Sequence, residues 1–202
     1  MKIIGITGPT GAGKSLLSEY FSAHAIPVID ADEVYHALLI PPSPCLDALS
    51  SAFGTNILRE DGTLDRPTLS EIVFHDAAKL ALLNQTVLGF VLDEIRRKID
   101  ALRAKGETMI AIDAPTLIES GFHRECDTVV SVLAPVEERL NRIMTRDAIP
   151  RERAQARVQS QPNDDFYRKH SHAVLVNNGD VDRFRQEAEA LLSQLLCPAD
   201  PA

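Results

Sequence analysis

The chain has 202 residues, 45% hydrophobic and 25% charged, which suits one globular domain with a full core, or one domain carrying a small insert. A net charge of −8 argues against a general nucleic-acid binder, and no apolar run reaches membrane-spanning length. Three cysteines with no CxxC pair, and an N-terminus interrupted early by Thr7 and Gly8, lead to the expectation of a cytoplasmic protein with neither signal peptide nor disulfide framework.

Short apolar runs alternate with amphipathic ones. Lys2–Thr7 reads as a buried strand, and 15–23 as a helix with Leu16, Leu17, Tyr20 and Phe21 on one face. A second strand over 26–29 ends in Asp30-Ala31-Asp32, and a helix follows to about residue 40. PPSP at 41–44 is a loop, 45–53 a short helix closed by Gly54, and Asp61-Gly62 a turn. Proline opens a helix over 67–74. A long helix then carries Leu80, Leu83, Val87, Val91, Ile95, Ile99 and Leu102 at helical spacing, with Gly106 placed for a left-handed cap. Strands are predicted over 109–112, ending in Asp113, over Thr128–Leu133 and over Ala173–Val176. Between the last two, a helix runs from Pro135 to about Arg146, and the polar stretch 151–169 is helical in pieces. Val181, Phe184, Ala188, Leu191 and Leu195 mark a final helix, and the tail CPADPA is expected to fray. The pattern predicts an α/β fold: a parallel sheet covered by helices, with its ligand beyond the carboxyl ends of the strands.

Gly8 to Ser15, GPTGAGKS, matches G-x-x-x-x-G-K-S between a strand and a helix, the context that motif requires. Gly8, Gly11 and Gly13 allow the backbone to curl so that successive N–H groups converge on an anion. The following helix adds the positive end of its dipole. Lys14 can reach the β- and γ-phosphates, and the Ser15 hydroxyl can ligate Mg²⁺. The expected ATP contacts run through Gly8, Thr10, Gly11, Ala12, Gly13, Lys14, Ser15 and Leu16. DxxG and NKxD are missing, since Asn177-Asn178-Gly179-Asp180 lacks the lysine, so a GTPase is disfavoured and a small kinase remains.

A kinase must exclude water around the phosphoryl group, commonly with a lid that carries arginines. Between 139 and 157 lie six arginines, at 139, 142, 146, 151, 153 and 157, against Asp147 and Glu152 alone. Guanidinium groups suit phosphates because they are planar, forked and always charged. Arg139, Arg142 and Arg146 share one helical face. Transfer also needs a carboxylate near the accepting hydroxyl. Asp30 and Asp32 both qualify by position; Asp30 is assigned to capping the next helix and Asp32 to chemistry. Asp113 resembles a Walker-B acid of the metal shell and is also a candidate for the substrate side. The six histidines show no metal-ligand pattern.

With ITGPTGAGKS, IPVIDAD, FGTNILREDGTLDRPTLSEIVF, DAPTLIES, CDTVVSVLAPVEERLNRIMTRD and VLVNNGD, the chain resembles the dephospho-coenzyme A kinase family over nearly its whole length. The resemblance implies a P-loop kinase fold with a five-stranded parallel sheet. The core would span about 1–44, 106–135 and 172–202, a helical acceptor-binding insert about 45–105, and an arginine-rich lid about 139–170. It implies transfer of the ATP γ-phosphate to the ribose 3′-hydroxyl of dephospho-coenzyme A, with Mg²⁺. Asp32 would be the base, Lys14 and Arg142 catalytic, and Arg142 and Arg146 lid arginines on ATP. Asn177-Asn178-Gly179 would wall the adenine, with Asn178 as the contact, and Arg66 would stand on the acceptor side. A monomer or weak homo-oligomer is expected. The chain departs from the family pattern at Pro9-Thr10 (Gly-Ile), Leu88-Gly89 (His-Pro) and Ser171-His172 (Ala-Asp). Two other readings stay open: a kinase for another small acceptor, and a nucleotide-binding regulator that has lost transfer.

Overall fold

The computed structural model describes residues 1–74 and 76–197. The expected fraying of the tail falls on 198–202, outside the described residues, as does His75. In chain order the elements begin β1 (Lys2–Thr7), α1 (Lys14–Ala23), β2 (Val28–Asp30), α2 (Ala31–Leu38), α3 (Pro44–Phe53), α4 (Arg66–Phe74) and α5 (Ala77–Ala104). They continue with β3 (Met109–Asp113), β4 (Thr128–Leu133), α6 (Val136–Asp147), α7 (Arg151–Gln159), α8 (Asp164–His170), β5 (Ala173–Val176) and α9 (Val181–Leu196). No helix is long and apolar enough to cross a membrane among the described residues.

The five strands form one sheet in the order β2-β3-β1-β4-β5. β1 is central and parallel to both neighbours, with Ile6 opposite Asp113 on one side and Val130 on the other. A strand covered on both faces should be apolar throughout, and residues 3–7 of KIIGIT are all buried. Connections between parallel strands must cross over, and helices supply the crossovers.

The chain divides into two compact units, 1–28 with 108 onward, and Ile29–Glu107. The first holds the main core: Ile4, Ile6, Val130 and Val132 of the sheet pack with Leu17 and Phe21 of α1 and Phe184, Ala188, Leu191 and Leu192 of α9. α7 and α8 realise the polar stretch as two short helices, each anchored by one apolar residue, Ala154 and Tyr167, both fully buried. Val181, the first residue of α9, is 40% exposed and lines a shallow hollow with Leu16, Tyr20 and Phe184.

The second unit has its own core of Leu39, Cys45, Leu46, Leu49, Ile57, Leu64, Leu69 and Val73. Asp30 caps α2 by accepting from the amides of Asp32 at 2.7 Å and Glu33 at 3.1 Å. α2 packs on α5 and α3 within this unit. The α5 stripe is only partly inward. Val91, Ile95 and Ile99 are buried and Leu83 and Val87 pack on the unit's core, but Leu80 is 44% exposed. Leu80 lies in the first turn, where helical periodicity continues but no packing partner need follow. At the other end Gly106 takes φ +85°; its N–H donates to Arg103 O and that of Glu107 to Leu102 O, the paired closure that ends helices on a left-handed residue.

Candidate functional site

The loop between β1 and α1 leaves the carboxyl end of the central strand. Gly8, Gly11 and Gly13 have φ of +137°, +75° and +95°. Each is also sterically required. An added Cβ would stand 2.1 Å from Val132 O at Gly8, 2.8 Å from Arg139 O at Gly11, and 2.3 Å from Asn177 Nδ2 at Gly13. The loop is therefore pressed against β4, α6 and the end of β5, and only glycine fits at these three points. The Ala12 amide donates to Pro9 O at 3.2 Å, and Lys14 Nζ donates to Gly8 O at 2.9 Å.

The carbonyls on the outer side of the loop are held by side chains. Arg139 Nε donates to Thr10 O at 2.9 Å. Arg142 Nη1 donates to Gly11 O at 3.1 Å and Ala12 O at 3.2 Å, and Asn177 Nδ2 donates to Ala12 O at 3.0 Å. Arg142 Nη2 also donates to Asn177 Oδ1 at 3.1 Å. In a trans peptide the N–H points opposite to the C=O of the same plane. Holding the Thr10 and Ala12 carbonyls outward therefore turns the Gly11 and Gly13 amides to the other face. This gives a preorganised anion-binding concavity at the N-terminus of α1.

Arg139 is 3% exposed and Asn177 2%. Burial draws the Arg139 guanidinium below its ordinary pKa, opposed by Asp164 and Tyr167. The Tyr167 hydroxyl is pushed up to about 12, first by burial and then by Glu119. Asp113, at the end of β3 and 9% exposed, accepts from Ser18 Oγ at 2.7 Å, which ties the strand end to the first turns of α1. Ser15 is the second residue of the same helix and is exposed.

The arginine-rich segment thus divides. Arg139 and Arg142 turn to the loop. Arg146 donates to Asp147 at 2.7 Å, Arg157 pairs with the same carboxylate, and Arg151 donates to Glu137 at 2.7 Å. Arg142 meets backbone carbonyls of the loop, and Arg146 points into an exposed ion-pair cluster. Asn178 is exposed and its side chain closes a turn onto the Asp180 amide; its neighbour Asn177 reaches the loop. Sequence reasoning named Arg139 only as one of a face and missed Gln161, whose Oε1 accepts from Thr10 N–H at 2.9 Å. Nothing in the sequence singles out Gln161 within its polar stretch.

In the second unit, Asp32 is exposed in the first turn of α2, its amide engaged by Asp30. Arg66 Nη2 donates to His36 Nδ1 at 3.0 Å, and its guanidinium lies 6.0 Å from the Tyr35 ring centroid. Leu88 is half-buried, and Gly89 is solvent-exposed inside α5.

A five-stranded parallel sheet, a glycine loop curled at the carboxyl end of its central strand and a lysine and serine at the start of the next helix define a P-loop kinase. Residues 2–183 match the family model described as dephospho-CoA kinase, and the chain belongs to that family. A Corynebacterium glutamicum protein named dephospho-CoA kinase is 34% identical over 96% of this chain and 96% of its own length. Among solved structures, a Thermus thermophilus protein superimposes with a TM-score of 0.81 at 28% identity, over 97% of this chain and 98% of its own. A dephospho-CoA kinase from Campylobacter jejuni gives 0.72 at 25% identity, over 96% of this chain and 98% of its own.

Proposed function

We propose that this chain transfers the γ-phosphoryl group of ATP to the ribose 3′-hydroxyl of dephospho-coenzyme A, giving coenzyme A. The observation that carries the reading is the P-loop, whose three left-handed glycines and outward-held carbonyls suit a polyphosphate, in a chain of this family. ATP lies along the loop from Gly8 to Leu16, held by the Gly11 and Gly13 amides and the Lys14 ammonium, while Thr10 and Ala12, whose amides stay on Gln161 and Pro9, line the site. Lys14 neutralises charge that grows on the β- and γ-oxygens during transfer. Arg142 contributes positive potential from behind the loop, Arg146 reaches ATP by leaving Asp147, and Asn178 lies on the adenine side.

Among the described residues no group of three or more His, Cys, Asp or Glu forms a metal cage. Mg²⁺ does not need one: it keeps several waters, binds phosphate oxygens and takes one or two protein oxygens. The exposed Ser15 hydroxyl fits that donor set, with Asp113 ordering the shell through Ser18. When bound, the ion would neutralise phosphate charge that builds up during transfer.

The acceptor 3′-hydroxyl gives its proton to Asp32 as its oxygen bonds to phosphorus and the bond from phosphorus to the β,γ-bridging oxygen breaks, releasing ADP. Asp32 is suited because Asp30 already caps α2, which leaves the second carboxylate exposed. Arg66, beside Tyr35 and His36, offers a cation and a ring to the acceptor. We also propose the core, insert and lid division described above, and a cytoplasmic setting.

The test is a coupled assay with dephospho-coenzyme A set against nucleotides and sugars as acceptors, at saturating ATP and Mg²⁺. Clear turnover of dephospho-coenzyme A above the panel is expected. No turnover of it at millimolar concentration, beside clear turnover of another hydroxyl acceptor, would overturn the reading.

A further inference from the structure

Thr10 is held from both sides by the segment that follows β4. Its N–H donates to Gln161 Oε1 at 2.9 Å, and its carbonyl accepts from Arg139 Nε at 2.9 Å. Arg139 Nη2 donates to the same Gln161 oxygen at 3.2 Å. Gln161 and Arg139 therefore close a ring of hydrogen bonds around one residue of the P-loop, across 151 and 129 residues of chain. The ring fixes the two peptide planes that flank Thr10. The second of these planes contains the Gly11 N–H, which a fixed Thr10 carbonyl turns away from α6. Arg139 cannot swing aside readily. It is 3% exposed, and its backbone oxygen lies 2.8 Å from where a Cβ on Gly11 would stand, so its helix and the loop are closely packed.

We propose that Gln161 is a positioning residue for nucleotide binding: it clamps the Thr10 amide and orients Arg139, and so presets the Gly11 amide for a phosphate oxygen. This rests on the P-loop being the ATP site. The Gln161 side chain accepts from one neutral and one charged donor. Its substitution pattern follows from that. Gln161→Glu keeps an acceptor oxygen, and its charge is offset by Arg139. Gln161→Met keeps length and volume and loses both hydrogen bonds. A phosphate held alike before and during transfer contributes to KM and not to kcat.

The experiment measures ADP binding by calorimetry, KM for ATP and kcat, and amide hydrogen exchange of the loop 8–14, in wild type and both variants. For Gln161→Met, Kd for ADP and KM for ATP should rise by roughly tenfold, as the loss of two such bonds predicts, with kcat within about threefold. Loop exchange should speed up with it. Gln161→Glu should stay within about threefold of wild type in all three. Unchanged ADP affinity in Gln161→Met, or equal weakening in both variants, would overturn the proposal and leave Gln161 a packing residue. Should Gln161→Met fail to fold, Arg139→Lys carries the same expectation, because it keeps the charge but loses the fork that reaches Thr10 and Gln161 together. ADP binding and loop exchange need no acceptor. A different acceptor would sink the preceding reading and leave this one standing.

Discussion

Gly13→Ala and Gly89→Ala add the same methyl group and should move stability in opposite directions. At Gly13 the backbone has φ +95°, a conformation that costs an L-residue about 1–2 kcal/mol. The new Cβ would also lie 2.3 Å from Asn177 Nδ2, far inside contact distance. Asn177 is 2% exposed and its amide donates to Ala12 O at 3.0 Å, so relief of the clash breaks a buried hydrogen bond worth about 1 kcal/mol. The expected loss is about 2–3 kcal/mol, and ADP affinity should fall by roughly tenfold or more, because the Ala12 carbonyl that orients the Gly13 amide is released. At Gly89, inside α5, a Cβ meets nothing within 4 Å, and the residue is helical. Alanine there should stabilise by about 0.5–1 kcal/mol, through helix propensity and a less flexible unfolded chain. Urea denaturation followed by circular dichroism, with ADP calorimetry on the folded proteins, measures both. The reasoning is refuted if Gly13→Ala stays within about 0.5 kcal/mol of wild type, or if Gly89→Ala destabilises at all beyond that margin.

Lys14→Ala should abolish transfer while leaving circular dichroism unchanged, since the ammonium acts mostly in the transition state; activity within about tenfold of wild type would remove Lys14 from the chemistry. Asp32→Asn should lower kcat by about 10²-fold or more with ADP affinity unchanged, the usual scale for a general base; lost Mg–ADP binding in calorimetry would instead put Asp32 in the metal shell. The third concerns pH. Asp76 caps α5, and the amides of Lys79 and Ala78, with the Lys79 charge, hold its carboxyl below the usual carboxylate range. A depressed native pKa means stability that is present above the unfolded value and lost as pH falls through the native one. Asp76→Asn keeps an oxygen acceptor and removes this titration, so its melting temperature should fall less steeply in acid than that of wild type; parallel acid profiles would contradict the assignment.

Local order was largely legible in the residues. The strands, the P-loop, the cap at Gly106 and the choice of Asp30 as the α2 cap each depend on neighbours within a few positions. The chain carries those neighbours in order whatever the rest of the molecule does. Family membership was legible for a related reason, since several such local patterns recur together in one order. Periodicity alone overreached at Leu80, because a helical stripe shows which face is apolar and not how far along it a partner extends. The division of labour among the arginines was decided only by the tertiary structure. Arg139, Arg142 and Arg146 share a face and a composition, yet the first two reach P-loop carbonyls about 130 residues away in sequence and the third turns to Asp147 beside it. In the same way Asn177, and not Asn178, meets the loop, because the chain leaving β5 aims one side chain at Ala12 O and the next at the surface. Hydrogen-bond partners that distant exist only once the strands are stacked side by side, so no local pattern encodes which of several chemically equal side chains will be the one in reach.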